Sequence, residues 1–438
     1  MQLENVRSLA ALLLAGCCLI PSWAMADEAI PANPELRWWK GNLHTHSLWS
    51  DGNDFPEMIC EWYRTHDYNF LALSDHNTFS EGQRWKDVAS LARRGGGSDI
   101  LGKYQARFGG GWVETRGEPG DPEYQVRLKP LEEYRALLEN RGRFILIQGE
   151  EISDKAAGKP VHMNATNLQQ LVLPLGGETV RDAIRNNLRA VEDEAQRSGR
   201  EVLLHLNHPN FGFAITAEDL AAVVEERFFE VYNGHPGVNQ LGDADHPPVE
   251  RLWDIANTLR LGQLNAPPLY GVATDDSHNY HDTTGSTPGR GWVMVRSRYL
   301  TPEHLILAIK AADFYASSGV TLSDIQYDAD ARKLSLAIEP EEGVVYTTQF
   351  IGTPKAYDDA SEPRKDKKGE TLNVTRKYSD DIGKVLSEVT GLQPSYQLTG
   401  DELYVRAIVT SSKPHPNPSY AGQTTQAWSQ PVGWTVKQ

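Results

Sequence analysis

The sequence predicts an α/β chain: a TIM-like (β/α) barrel with parallel strands inside and helices outside, then a small all-β, sandwich-like C-terminal domain. Three observations carry this. Short apolar runs alternate with amphipathic segments for about seven units between residues 37 and 321. The runs end in His, Asp or Glu, which a barrel would gather on one rim, its C-terminal face. From about Leu322 the helical periodicity stops, and strand-like runs separated by turn residues take over. A doubly wound open sheet suits the pattern less well, because it collects ligands at one crevice.

Residues 1–26 read as an export signal. The apolar run Ser8 to Ile20 is short for a membrane span, Pro21 breaks it, and Ala24-Met25-Ala26 has the small-x-small cleavage pattern. Leu14-Ala15-Gly16-Cys17 offers a second reading, a lipobox that would leave Cys17 lipidated, although the residues after it are apolar where such tethers are polar. The expected location is the periplasm or, as a lipoprotein, the outer membrane or cell surface. Membrane contact would then run only through an anchor at Cys17. After cleavage at Ala26, Cys60 is the one remaining cysteine, so no intrachain disulfide is expected.

Residues 27–36 form a lead-in. Arg37 to Leu43 is a first strand delivering His44 and His46, whose i, i+2 spacing puts both imidazoles on one face. Asp51-Gly52 follows on a turn. A helix runs from Pro56 to about His66, with proline suited to its first turn. Asn69 to Leu73 is a buried-type strand ending in Ser74-Asp75-His76. Residues 81–93 read as a helix. Residues 95–125, with three glycine-rich patches, read as a long irregular excursion over one mouth of the fold. A helix over 131–140 leads into the strand 143–147, which stops at Gly149-Glu150-Glu151, with His162 beyond it.

The apolar stripe Val180, Ile184, Leu188, Val191, Ala195 marks the strongest helix, 178–197. The strand starting at Glu201 ends in His205-Leu206-Asn207-His208. Thr216-Ala217-Glu218-Asp219 resembles a capping box opening a helix to about Arg227. Phe228 to Tyr232 is a strand ending in Asn233-Gly234-His235, and residues 249–261 a helix. Leu269 to Ala273 is a strand ending in Thr274-Asp275-Asp276-Ser277-His278. A strand at 292–295 and a helix from Thr301 to Ala312 close the region. Residues 322–438 are assigned to the β-rich domain, with strands at 334–338, 344–351, 403–409 and 428–436. His415, in Pro-His-Pro, reads as an exposed loop residue.

The composition is that of a globular chain with a real core: 438 residues, 39% hydrophobic, 11 Trp and 17 Tyr. The net charge of −16 repels polyanions and argues against nucleic acid as a partner. It leaves room for a small phosphorylated substrate held by metal ions, since bound cations reverse the local sign. There is no phosphate-cradling Gly-x-x-x-x-Gly-Lys loop, no Gly-x-Ser-x-Gly elbow and no C-x-x-C pair.

The candidate metal ligands are His44, His46, Asp51, His76, Glu151, His162, His208, Asp276 and His278. Singly, each reads as a strand-end or loop residue. As a set following successive strands they fit a centre for Zn, Mn or Fe. The ordered motifs H-x-H-x-x-x-x-D-G, Ser-Asp-His, Gly-x-Glu with a later His, His-Pro and Asp-x-His resemble the PHP (polymerase and histidinol phosphatase) family from Trp39 to about Val320. The resemblance implies a distorted (β/α)7 barrel, two to three divalent cations in a trinuclear centre, and phosphoesterase activity. It implies one site of His44, His46, Glu151 and Asp276, a second of Glu151, His162 and His208, and a third of Asp51, His76 and His278. Some family members carry histidine where this chain has Asp51. Glu150 is the alternative to Glu151, but the family's Gly-x-Glu spacing favours Glu151.

A water shared between cations gives hydroxide near neutral pH, which would attack phosphorus in line. His205, His235 and His281 are candidates to protonate the leaving oxygen, and Arg290 to grip phosphate. Asp75 and Asp275 are candidates to orient ligand imidazoles. Two other readings compete: a metallohydrolase of C–N or C–O bonds on the same barrel, and a non-catalytic envelope binding protein working through its β-domain.

Overall fold

Trp39 anchors the first strand, β1 (Arg37–Asn42), which pairs on both sides. One neighbour is β2 (Phe70–Leu73), parallel; the other is a later strand, antiparallel. Gly41 is required there, because the Phe70 ring occupies the space a Cβ would take. The computed structural model describes residues 34–436. The predicted signal segment and Cys17 lie outside them. From Leu36 onward the chain is one compact unit.

Between β1 and β2 lies α1 (Pro56–Thr65). After β2 the expected helix at 81–93 and loop at 95–125 are replaced by an ordered insertion. It comprises β3 (Arg84–Asp87), α2 (Val88–Arg94), α3 (Ile100–Phe108), β4 (Thr115–Arg116) and β5 (Gln125–Leu128). Tyr104, Val113, Val126 and Leu128 bury themselves against Leu48, Trp49 and Phe55 next to β1. The glycine triplets interrupt every helical window here, so periodicity alone does not reveal the insertion. Next come α4 (Leu131–Leu138), β6 (Ile145–Ala156), β7 (Lys159–Thr166), α5 (Val180–Ser198) and β8 (Leu203–Leu206). The chain continues through α6 (Ala217–Ala222), β9 (Phe228–Asn233), α7 (Val249–Gly262), β10 (Tyr270–Thr274), β11 (Trp292–Ser297), α8 (Pro302–Lys310) and β12 (Phe314–Ser317). Capping boxes open both α5, at Thr179 with Asp182, and α6, at Thr216 with Asp219.

The order in the main sheet is β10-β9-β8-β7-β6-β2-β1-β11-β12, continued by four C-terminal strands. The sheet is mixed, where an all-parallel one was expected. β6 does not stop at Glu151 but runs on into an antiparallel hairpin with β7, turning at Ala157 and Gly158, both at positive φ. β7 then pairs antiparallel with β8. No ladder closes the sheet among the described residues. The ends of β1 and β10 meet only through a bridge between Thr45 and Ser277. The sheet is nevertheless strongly curled: Trp39, Ala72, Ile147, Leu203, Val272, Val293 and Phe314, from strands all along it, share one buried cluster with Leu305 and Ile309 of α8.

C-terminally, strands Tyr346–Pro354, Lys384–Thr390, Glu402–Pro414 and Thr424–Trp428 extend the main sheet through the Ala316–Trp428 pair. Strands Leu322–Asp328, Lys333–Ile338 and Ser395–Gln397 form a second sheet, and Leu334, Leu336, Phe350, Val405 and Ala407 bury between the two. The last strand ends at Trp428, where the sequence reading began it. The C-terminal part grips α7 through Asp254, which accepts from Arg406 Nε at 2.8 Å, Arg406 Nη2 at 2.7 Å and Tyr404 hydroxyl at 2.8 Å, all buried.

Candidate metal centre

The sheet curvature brings its strand ends onto one patch. His44 and His46 follow β1, Asp51 sits on the next turn, and His76 follows β2. Glu151 and His162 lie on facing arms of the β6–β7 hairpin, His208 follows β8, and Asp276 and His278 follow β10. These nine side chains fall into three groups whose donor atoms are within 4.8 Å of one another: His44, His46 and Asp276; Glu151, His162 and His208; His46, Asp51, His76 and His278. His46 therefore stands in two groups, where the family resemblance implied only one.

The separations suit shared cations. His44 Nε2 and His46 Nε2 each lie 3.2 Å from Asp276 Oδ1. His208 Nε2 is 3.4 Å from Glu151 Oε1, His76 Nε2 is 3.3 Å from Asp51 Oδ2, and His278 Nε2 is 3.4 Å from Asp51 Oδ1. Two ligands bonded at zinc-like lengths and a tetrahedral angle stand about 3.3 Å apart. Glu151 adjoins every group, reaching His44 at 3.6 Å, His46 at 3.4 Å, His162 at 3.0 Å and His76 at 2.7 Å.

The floor of the patch holds polar atoms that the protein itself does not satisfy. His44 Nε2 and both ring nitrogens of His46 are buried without a hydrogen-bond partner. Such atoms are costly unless something else binds them. Divalent cations fit this donor set of imidazoles and carboxylates.

The charges agree. Burial opposes ionisation of Glu151, yet His44, His76 and His162 hold its carboxyl well below the usual range. Asp276 is likewise held down, against its burial, mainly by His44, His46 and His278. Burial pulls the His76 imidazole down, but Glu151 and Asp51 outweigh it and raise it to about 11. His46 moves the other way, to about 3, because burial and the neighbouring His278 and His76 both disfavour its cation. The carboxylates are thus anionic, and His46 is a neutral ligand before any cation arrives.

Supporting groups hold these side chains. Glu230 is buried in the middle of β9 and was not singled out in the sequence. Its Oε1 accepts from His44 Nδ1 at 2.6 Å and Thr274 Oγ1 at 2.7 Å; its Oε2 accepts from His208 N and Asn233 Nδ2, both at 2.8 Å. The signal was there: an acid inside the apolar run Phe-Phe-Glu-Val-Tyr. Asn207 Nδ2 donates to Glu151 Oε1 at 2.9 Å, and Ser153 Oγ meets His76 Nδ1 at 2.5 Å. Asp276 sits at φ 49°, and Gly52 packs so tightly on the His46 carbonyl that a side chain would not fit. Backbone strain of this kind persists where the surroundings impose it.

Several expected roles are corrected. His205 lies inside β8, fully buried, with Nε2 3.6 Å from Glu230 Oε1, so it sits beneath the site rather than at its mouth. Arg290 is buried too, and its donors go to the carbonyls of Gly234 (2.8 Å), Gly285 (2.7 Å) and Asn417 (3.2 Å), so it clamps loops rather than phosphate. His281 Nε2 bonds the Asn53 carbonyl at 3.0 Å. Asp75 fastens the 47–50 turn through Ser47 and Ser50, and Asp275 holds Tyr63 and the backbone of residues 289–291; neither orients an imidazole. His415 is buried, its Nδ1 accepting from Asn417 N at 3.0 Å. His235 does reach the mouth. It borders a cavity of about 190 Å³ walled by Asp51, His76, Glu151, His162, His208, Asp276 and His278, with Phe211 and Val238.

No family model and no curated protein matches the chain. Solved structures do. One from Bacteroides vulgatus is described as a two-domain protein containing a predicted PHP-like metal-dependent phosphoesterase. It is 14% identical, with 92% of this chain and 98% of that chain covered and a TM-score of 0.38. Another, from Bifidobacterium adolescentis, is described as a putative metal-dependent phosphoesterase. It is 14% identical over 59% of this chain and 93% of its own, with a TM-score of 0.29. Both descriptions name metal-dependent phosphoesterases. The functional reading rests on the site's own residues.

Proposed function

We propose that this chain is a metal-dependent phosphoesterase of the PHP type, hydrolysing a small phosphomonoester or phosphodiester with two to three divalent cations (Zn, Mn or Fe). The observation that carries the reading is the set of three adjoining ligand groups, linked by His46 and Glu151 and opening on one cavity. Bound there, the cations would neutralise the non-bridging phosphate oxygens and lower the pKa of water. The chain's own residues set the rest. Glu230 directs Nδ1–H of His44 away from the cavity and so turns Nε2 inward. His235 Nδ1 accepts from Gly237 N at 3.0 Å, which puts its proton on Nε2, available for the leaving oxygen. The curled sheet supports a (β/α)7 barrel opened by the β6–β7 hairpin, and residues 1–26 support export.

The test is hydrolysis of p-nitrophenyl phosphate and bis-p-nitrophenyl phosphate by protein reconstituted with Zn, Mn or Fe. Turnover that disappears in His44→Ala is expected. Metal-loaded protein that leaves both esters and a panel of natural phosphates untouched would refute the reading.

A further inference from the structure

The wall of the cavity is polar except on one side, where Phe211 and Val238 stand. Phe211 is 37% exposed, an unusual placement for a large apolar ring beside so many ionisable groups. Its ring contacts His208 edge to face, with centroids 5.2 Å apart at 71°, and approaches His162 at 6.0 Å.

The segment carrying it is rigidly built. Phe211 N donates to His208 O at 2.8 Å, Phe213 N to Asn210 O at 2.9 Å, and Ile215 N to Pro209 O at 3.1 Å. Asn210 Nδ2 ties the turn to the carbonyls of Asn239 and Pro247. Gly212 and Phe213 both take positive φ, 58° and 48°, and the Phe213 ring stacks on His246 at 3.6 Å. A phenylalanine in the left-handed region costs on the order of 1 kcal/mol. The fold thus accepts local strain next to an aromatic ring it leaves uncovered.

The charge of the wall limits what can sit on that ring. Among the described residues, no Lys or Arg lines the cavity. Arg94 and Arg290, which reach the rim loops, direct donors at backbone carbonyls, Arg94 Nη1 to those of Ser50 and Gly52. Asp51, also on the wall, has a side chain 52% exposed. An anionic group on the leaving moiety, seated over Phe211, would find no Lys or Arg to pair with.

We infer that the site takes a phosphate ester whose leaving group is a neutral planar ring, seated on the exposed face of Phe211. This rests on the phosphoesterase reading and names its substrate class. An aryl or heteroaryl ester fits; an ester whose leaving group carries an anionic charge over Phe211 does not, for want of a cationic side chain there. Aromatic stacking adds to the burial of the ring, so the discrimination against a small alkyl ester is about tenfold.

Binding separates this proposal from the hydrolytic one. Calorimetry on zinc-loaded protein should show phenylphosphonate binding about tenfold tighter than methylphosphonate. Phe211→Ala should abolish that difference while leaving methylphosphonate affinity and bound zinc within twofold; Phe211→Trp should keep it. Equal affinity of the two phosphonates for the wild type, or a preference that survives Phe211→Ala, overturns the proposal. Phenyl phosphate turnover is read alongside. A phenyl preference in protein that hydrolyses no ester would sustain the Phe211 site and sink the phosphoesterase reading instead.

Discussion

Glu230→Gln tests the centre at the residue least visible from its mouth. Each Glu230 oxygen accepts two hydrogen bonds, Oε1 from His44 Nδ1 and Thr274 Oγ1, Oε2 from His208 N and Asn233 Nδ2. A glutamine keeps one oxygen. If its amide nitrogen replaced Oε2 it would face the His208 N–H, which cannot reverse, and the Asn233 amide, held in its orientation by His235 N donating to its Oδ1 and by its own bond to Asp276. Placed at Oε1 it faces a hydroxyl and an imidazole, both of which can turn to accept. The second orientation wins, and it makes His44 Nδ1 an acceptor. The imidazole proton then moves to Nε2, the atom 3.2 Å from Asp276 Oδ1, where it blocks coordination. Losing such an orienting partner typically weakens metal binding 10- to 100-fold, about 1.4 to 2.7 kcal/mol. Zinc titration by calorimetry, with bound metal counted by mass spectrometry, reads the effect directly. Thr274→Val removes only a hydroxyl donor to the same oxygen, leaves the His44 Nδ1 bond in place, and should leave zinc affinity within about threefold. A well-folded Glu230→Gln protein that binds zinc as tightly as wild type would refute the tautomer argument.

Two further outcomes follow from the geometry. Because His46 stands in two ligand groups and His162 in one, His46→Ala should lower the reconstituted metal content by two ions per chain and His162→Ala by one; equal losses would show that His46 serves a single cation. Glu226 is buried, and burial raises its carboxyl to about 8, so the folded chain keeps a proton that the unfolded chain sheds near pH 4.3. Between those values stability therefore falls as pH rises, by at most about 1.4 kcal/mol per unit for this group, and levels off above pH 8. Glu226→Gln, which can still accept from Phe228 N, should flatten that slope in urea denaturation between pH 5 and 8; an unchanged slope would show that the carboxyl is ionised in the native state.

The sequence by itself determined the chemistry of the rim. Histidine and carboxylate at the ends of apolar runs are local facts, and strands in a curled sheet have no other place to deliver them. Hence His44, His46, Asp51, His76, Glu151, His162, His208, Asp276 and His278 could all be named in advance, and the structure brings them together. Helices with strong stripes and caps, such as α5, were legible for the same reason: periodicity and capping act within a few residues. The β6–β7 hairpin was not, since its turn, Ala157-Gly158, carries no strong turn signature and its strands are stabilised by their register with each other and with β8. The 84–128 insertion was hidden because its glycine triplets break the local pattern, while its core forms only against Leu48, Trp49 and Phe55 from elsewhere.

Tertiary structure alone decided how the donors are shared and who supports them. Whether His46 serves one cation or two depends on the distances from β1 to the ends of β2 and β10, which no spacing in the chain encodes. Arg290 reads as a phosphate grip until three carbonyls from separate loops are seen to take its donors. His205 reads as a proton donor at the rim until it is found inside the buried strand, and Glu230 as one more residue of a buried strand until His44 is found 2.6 Å away. Residue type sets what an atom can bind; only the fold sets what lies within reach of it.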